Sequence, residues 1–363
     1  MEHRFDLNLS HVLPSAAAAL DVPGFNDDLG LGRRSFVVVC LIDGLGATSI
    51  EAHPDLFDAL DPARGGSIEA AFPTTTPTGL ASLGTGMTAG RHGIVGASFW
   101  LPDEEQVLSP LHWGRRPTPS AVQPESTVFE RVQRTGVRAV TIAPRAYSNS
   151  GLTHAVLRGS EYLTAEDAAQ RAAHLRSIMA ASERALIYVY WAELDRAAHE
   201  FGSTSGQWRQ AAAEVNRLLG DLRAELRADA TLVVTADHGI VDCYERIWVE
   251  DFPALTAGVR LWAGEPRMRH LYVDDDAPEI ARRWQWELGD RVEVLLRQQA
   301  IDRGLFGDVD PLLTDRIGDV LVISRGRSIV ASRTFDDRVS NLIGHHGGLS
   351  DDERRIPALL LDG

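Results

Sequence analysis

Six short, apolar, largely β-branched runs punctuate the chain, at residues 36–42, 137–142, 185–191, 231–235, 320–324 and 356–361. Turn residues and then a helical pattern follow them, which is how strands buried on both faces of a parallel sheet read. Among the intervening segments, 165–181 carries apolar residues at helical spacing, and 207–227 sets Ala211, Val215, Leu218, Leu219 and Leu222 on one face. The pattern predicts an α/β fold with a central, mostly parallel sheet covered by helices on both faces. With 363 residues, 44% of them hydrophobic, there is material for a large core, and disorder and fibrous structure are excluded. No repeat and no low-complexity tract breaks the order. Only residues 248–335 depart from it, with Trp262-Ala263-Gly264-Glu265-Pro266, an acidic turn at 274–276 and a helical segment at 278–288. Since site-type residues continue beyond this stretch, we expect one domain over 1–363 with an insertion or cap at 248–335, packed near the mouth of the site.

Thirty-six Lys plus Arg against 51 Asp plus Glu leave a formal charge of −15, which argues against a long nucleic acid as partner. The run 36–42 falls far short of the roughly 18 apolar residues a membrane helix needs, so no membrane partner is expected. Acids appear early in Met1-Glu2-His3-Arg4-Phe5-Asp6, and the patch 16–20 is too short for the apolar core of a signal peptide, which leads to a cytoplasmic expectation. Two cysteines suit a reducing compartment. Cys40, inside an apolar run, reads as a small buried hydrophobe, while Cys243 is left open.

Ligands of open α/β sheets bind beyond the carboxyl ends of the strands. The first run ends in Asp43-Gly44-Leu45-Gly46: a carboxylate placed for a metal, or an ordinary Asp-Gly exit from a strand. Its two glycines lack the third that a dinucleotide fingerprint needs. After the third run, Asp195 and His199 stand four apart, about 5–6 Å at Cβ on a helix. Carboxylate plus imidazole suits zinc, although an exposed helix pair would look the same. The fourth run ends in Ala236-Asp237-His238-Gly239, where two adjacent metal-type ligands on a tight exit favour ligation. Gly344-His345-His346-Gly347-Gly348 is a loop whose small residues allow close approach to a metal, or a polar surface turn. Phe72-Pro73-Thr74-Thr75-Thr76-Pro77-Thr78-Gly79 supplies hydroxyls ahead of a helix of small and apolar residues. Such a hydroxyl is either an N-cap or a nucleophile beside phosphate-binding N–H groups, with a metal lowering its pKa.

Taken together with Thr85-Gly86 and Arg91-His92-Gly93-Ile94, this constellation resembles the type I phosphodiesterase and nucleotide pyrophosphatase family of the alkaline phosphatase superfamily. The resemblance implies an alkaline-phosphatase-like fold and two Zn2+ ions. It places the nucleophile on Thr76, the second threonine of Pro-Thr-x-Thr. One zinc would be held by Asp43, Thr76, Asp237 and His238, the other by Asp195, His199 and His346, with His345 the less favoured of its pair. His92 would shape its loop. Where many members carry an Asn shortly after the His-Gly-Ile loop, this chain has Gly96-Ala97-Ser98, so that Ser98 or a backbone N–H would have to hold the phosphoryl oxygen.

Three carboxylates and a threonine alkoxide would balance two zinc ions, and such a neutral site suits a phosphodiester or nucleotide pyrophosphate bond better than a dianionic monoester. The expected mechanism runs through a covalent phosphothreonine in an in-line displacement. A small phosphate ester, or a nucleotide, is the expected partner, with Arg267, Arg269 and His270 tuning the leaving group. A sulfatase would need a Cys or Ser in a Cys-x-Pro-x-Arg type segment, which 76–78 lacks, and a cofactor-independent phosphoglycerate mutase would need a serine nucleophile. A phosphonate or phosphate-monoester hydrolase of the same superfamily, or an inactive zinc-binding scaffold, stands as the alternative.

Overall fold

The computed structural model describes residues 1–274 and 276–363, residue 337 by its backbone alone, so the centre of the acidic turn at 274–276 lies outside the described residues. In chain order the strands that matter here are β1 (His3–Asn8), β2 (Phe36–Ile42), β3 (Arg64–Glu69), β4 (Arg138–Ala143), β5 (Glu161–Thr164), β6 (Ala185–Trp191), β7 (Ala230–Thr235), β8 (Val259–Glu265), β9 (Met268–Val273), β10 (Val292–Leu296), β11 (Val320–Ser324) and β12 (Arg355–Asp362). Eight of them form the central sheet in the order β1-β3-β12-β7-β2-β6-β4-β5. β7, β2, β6, β4 and β5 run parallel, and so do β1 and β3, whereas β12 is antiparallel to both its neighbours. The run at 356–361 is therefore a central strand, but the one that opposes the parallel set.

Every residue of β2 and of β6 is buried. Their aliphatic side chains feed a core continuous across both faces of the sheet, at roughly 1.5–3 kcal/mol for each large apolar side chain removed from water. The helices that matter are α1 (Thr76–Thr85), α2 (Ala168–Ala181), α3 (Glu193–Phe201), α4 (Gly206–Ala224) and α5 (Ala277–Leu288). Their starts follow capping chemistry: Asp167 accepts from the Gln170 N–H ahead of α2, and Ser205 from the Trp208 N–H ahead of α4, each worth about 1 kcal/mol. α4 buries Ala211, Val215, Leu218, Leu219 and Leu222, the stripe visible in the sequence. None of the helices among the described residues is long and apolar enough to cross a membrane.

The run at 320–324 corrects the sequence reading. It is a strand, β11, but it belongs to a second sheet of order β8-β9-β11-β10, antiparallel throughout. This inserted sheet packs α5 over a small core of its own, built on Leu271, Ile280, Trp284, Val320 and Val322. Burial of all five residues of β11 makes it indistinguishable from a parallel central strand by composition. An ion pair bolts the insertion to the main body: Arg267 Nη2 lies 2.6 Å from Glu353 Oε2, with both side chains fully buried.

Parallel register is what makes the site. Ile42 pairs with Trp191 and Leu41 with Thr235, so the segments that leave β2, β6 and β7 emerge side by side at one edge.

Candidate active site

At that edge Asp43 follows β2, Asp237 and His238 follow β7, and the first turn of α3 brings Asp195 in after β6, with His199 one turn later. Two glycines permit the crowding. Gly44 has a φ of +74°, and a Cβ there would sit 2.9 Å from the Asp195 side chain; a Cβ on Gly79 would sit 2.7 Å from that of Asp237, so α1 could not approach. Thr76 opens α1 with its Oγ 3.1 Å from His238 Nε2. The 344–348 loop hangs on Thr74, whose hydroxyl donates to the Gly348 carbonyl and accepts from the Gly347 N–H. That commits the Thr74 hydroxyl to structure, and leaves Thr76 facing the cluster.

The three imidazoles are oriented alike. His199 Nδ1 lies 2.7 Å from the Gly344 carbonyl, His346 Nδ1 3.0 Å from that of Thr74 and His238 Nδ1 3.0 Å from that of Gly239. A carbonyl accepts only, so each Nδ1 carries a proton and each Nε2 is aimed at the cluster, the orientation of metal-ligating histidines. The Nε2 atoms converge: His238 on Asp43 and Asp237, at 3.5 Å each, and His199 on His346 at 3.1 Å and Asp195 at 3.3 Å. Two sets of donor atoms lie within 4.8 Å of one another, Asp43–Asp237–His238 and Asp195–His238–His346. His238 thus bridges the two groups that the sequence reading kept apart, and His199 enters the second through its contacts with Asp195 and His346. His345 is turned away, its Nε2 donating to the Leu342 carbonyl.

The electrostatics ask for cations. Asp43 Oδ1, Asp195 Oδ1 and Asp237 Oδ2 are buried and accept no hydrogen bond, a costly state for carboxylates in a low-dielectric interior. Burial, reinforced by the charges of Asp237 and Asp195, pushes the Asp43 carboxyl well above its ordinary range, and burial, with Asp195 reinforcing, raises that of Asp237. Burial also opposes ionisation of Asp195, but the neighbouring His199 outweighs it and holds that carboxyl low. His199 rises in turn to about 9, Asp195 overcoming its burial. Oxygen and imidazole donors gathered in this way form a candidate metal site.

The profile of the family described as Type I phosphodiesterase / nucleotide pyrophosphatase matches residues 37–349. The chain belongs to that family. No curated sequence matches it significantly, but solved structures share its fold. Murine ectonucleotide pyrophosphatase/phosphodiesterase 5 superposes with a TM-score of 0.72 at 20% identity, over 89% of this chain and 87% of that one. The same murine protein, in an inactive form with a threonine replaced by alanine and in complex with AMP, gives 0.69 at 18% over the same shares. Phosphonoacetate hydrolase from Sinorhizobium meliloti 1021, in complex with phosphonoformate, gives 0.69 at 18%, over 90% of each chain. The fold is thus the alkaline-phosphatase-like α/β arrangement read from the sequence, and this type I phosphodiesterase/nucleotide pyrophosphatase family member is a hydrolase, of a family in which metal dependence is typical.

Other expectations fare differently. His92 accepts from the Ile94 N–H and donates to Ser82 Oγ, which uses both ring nitrogens in shaping its loop. Ser98 cannot stand in for the missing Asn, because its hydroxyl donates to the Gly264 carbonyl and accepts from the Gly264 N–H, stitching the 96–98 loop to β8. Arg267, Arg269 and His270 do not line a leaving-group channel. They are buried structural groups: Arg267 on Glu353, Arg269 on the Val330 carbonyl and Asp336, His270 between the Val95 carbonyl and the Gly318 N–H. Cys243 is buried in a small apolar cluster with Val241, Ile329 and Ala331, and both cysteines are free.

Sequence reasoning missed two neighbours of the site. The Tyr190 hydroxyl donates to Asp43 Oδ2; its one signal was a pair of tyrosines, 188 and 190, on one face of an otherwise aliphatic strand. Glu265, from the end of β8, reaches within 3.4 Å of His346 Nδ1 and is held protonated to about 8, mainly by burial; nothing in the sequence marked it. A cavity of about 750 Å³ opens beside Thr76, Asp43, Asp195 and His199, within the usual size of small-molecule sites.

Proposed function

We propose that the chain is a two-zinc hydrolase that cleaves phosphodiester or nucleotide pyrophosphate bonds through a phosphothreonine on Thr76. The observation that carries this is the Thr76 hydroxyl, 3.1 Å from His238 Nε2 at the edge of a buried cluster whose carboxylate oxygens lack partners. Asp43, Thr76, Asp237 and His238 would hold one ion, and Asp195, His199 and His346 the other. When bound, the zinc pair lowers the pKa of the hydroxyl and stabilises charge on the attacking and leaving oxygens. Thr76 Oγ bonds to phosphorus as the ester P–O bond breaks, and the leaving oxygen departs with the electron pair. The hydroxyl proton is lost to solvent. Water then splits the phosphothreonine, returning a proton to Thr76 and releasing the phosphoryl product. The backbone carbonyls on His199, His238 and His346 hold each Nε2 toward the reacting centre, and Tyr190 fixes the Asp43 carboxylate.

The inactive threonine-to-alanine form of the murine relative, with AMP bound, supports both the role of Thr76 and a nucleotide or small phosphate ester as substrate. A phosphonate substrate is the second reading, favoured by the likeness to phosphonoacetate hydrolase. The test is turnover of zinc-loaded protein on bis-p-nitrophenyl phosphate, p-nitrophenyl phosphate and phosphonoacetate, with metal content measured alongside. Diester activity that is lost on chelation and restored by zinc is expected; protein free of metal, with activity intact in chelator, would overturn the proposal.

A further inference from the structure

We propose that Glu265 is a positioning residue: through its carboxyl the inserted sheet braces the back of His346 and sets how tightly the second ion is held. The inference rests on the two-zinc reading above and concerns a side chain that comes from outside the α/β body. Glu265 closes β8 at the turn into β9, and anchors to the main body stand on both sides of it. Gly264 is tied through its N–H and its carbonyl to Ser98, and Arg267 pairs with Glu353, which also accepts from the Gly348 N–H. The turn therefore holds the 344–348 loop at two places, Gly348 and His346.

The His346 ring stacks on His238, with centroids 3.7 Å apart and planes 19° from parallel. Stacking fixes the plane of the ring but not its rotation within that plane, which is set by what Nδ1 meets. The Thr74 carbonyl accepts there at 3.0 Å and Glu265 Oε2 stands at 3.4 Å, two oxygens forked on one N–H. Nδ1 and Nε2 point away from each other across the ring. A carboxyl behind Nδ1 is thus placed to steer the imidazole, not to share the ion that Nε2 would take.

Packing does not account for a carboxyl in this place. Its Oε1 is buried with no partner, a cost that an aliphatic side chain of the same bulk would avoid. The loop is shaped around it, since a Cβ on Gly347 would sit 2.9 Å from Oε1 and 3.0 Å from Cγ. Among the described residues the one ion-pair contact of Glu265 is with His346. The Thr75 hydroxyl also bonds to the carboxyl, so the test has to separate that contact from the one to His346.

Full-length protein is titrated with zinc against a competing chelator. Glu265→Leu and Glu265→Met keep the bulk and remove the acceptor, and each should weaken one of the two ions at least about tenfold while the other stays within about threefold of the parent. The undisturbed ion reports that the variant is folded. Phosphodiester turnover lost at limiting zinc should return at excess zinc. Glu265→Gln keeps an acceptor oxygen and should hold both ions within about threefold of the parent. In a His346→Ala background, Glu265→Leu should leave the affinity of the one remaining ion unchanged, because the effect runs through the missing ring and not through Thr75. Parental affinities in Leu and Met, both ions weakened alike, Gln no better than Leu, or further weakening in the His346→Ala background would each overturn this inference and leave the two-zinc hydrolase standing. A parent chain that takes up no zinc would overturn that reading and this inference with it.

Discussion

Two regions of this molecule bury charge in opposite ways. Under the inserted sheet, Arg267 and Glu353 are fully provided for: two direct contacts to each other, the Gly326 and Ser328 carbonyls on the guanidinium, and the Gly348 N–H and Ser350 hydroxyl on the carboxylate. At the strand ends, three carboxylates crowd together with oxygens that accept nothing. The first arrangement is complete with protein atoms and serves to join two layers. The second is complete only with something added, and on the two-zinc reading the stability lost there would be recovered when a cation binds. Satisfied buried charge marks architecture, and unsatisfied buried charge marks function.

The sharpest way to break this contrast is Thr76→Ala. It should lower kcat/KM on a phosphodiester at least about a thousandfold, roughly 4 kcal/mol of transition-state stabilisation, while the thermal midpoint barely moves. Retention of most activity would shift the nucleophile to Thr75 or to water. Arg267→Ala should do the reverse, costing about 3–5 kcal/mol of stability in a denaturant titration because Glu353 is left buried and alone, whereas the double change Arg267→Met with Glu353→Leu should recover much of it. In metal-free protein, Asp237→Asn should be mildly stabilising, on the order of 1 kcal/mol, since it relieves repulsion while its amide oxygen still accepts from the His238 N–H. If it destabilises as Arg267→Ala does, the two regions are not different in kind. Metal analysis of His346→Ala should find close to half the zinc of the parent, and His345→Ala far less change. The smallest effect concerns substrate charge: a phosphodiester should exceed the matching monoester by about tenfold in kcat/KM, or ~1.4 kcal/mol, and equal rates would refute the neutral-site argument.

The strand-end cluster was legible in the sequence for a physical reason. Parallel neighbours in register deliver whatever follows each apolar run to the same edge, so Asp43, Asp195 and the 237–238 pair needed only the α/β pattern to be brought together. The hydroxyls ahead of α1 read as either an N-cap or a nucleophile, and only the resemblance to the family singled out Thr76. Strand β11 was misplaced because complete burial looks alike in a parallel strand and in an antiparallel one covered on both sides. Arg267, Arg269 and His270 misled for a related reason: cationic side chains near a phosphoryl site suggest substrate contact, and only coordinates show that backbone carbonyls and Glu353 have already claimed them. Glu265 and Tyr190 act through contacts between segments far apart in sequence, which no spacing rule encodes.

The carbonyl anchors of the three imidazoles carry a consequence for assembly. His199 is aimed by Gly344 and His346 by Thr74, so each ligand is steered by a segment from a distant part of the chain. On the proposed ligand set, the half-site of Asp195, His199 and His346 cannot take shape on a partly folded chain, because its two rings are aimed only once their remote anchors arrive. On the two-zinc reading, metal capture at that half-site would serve as a checkpoint on folding, with high affinity appearing only once α3, the start of α1 and the 344–348 loop have docked.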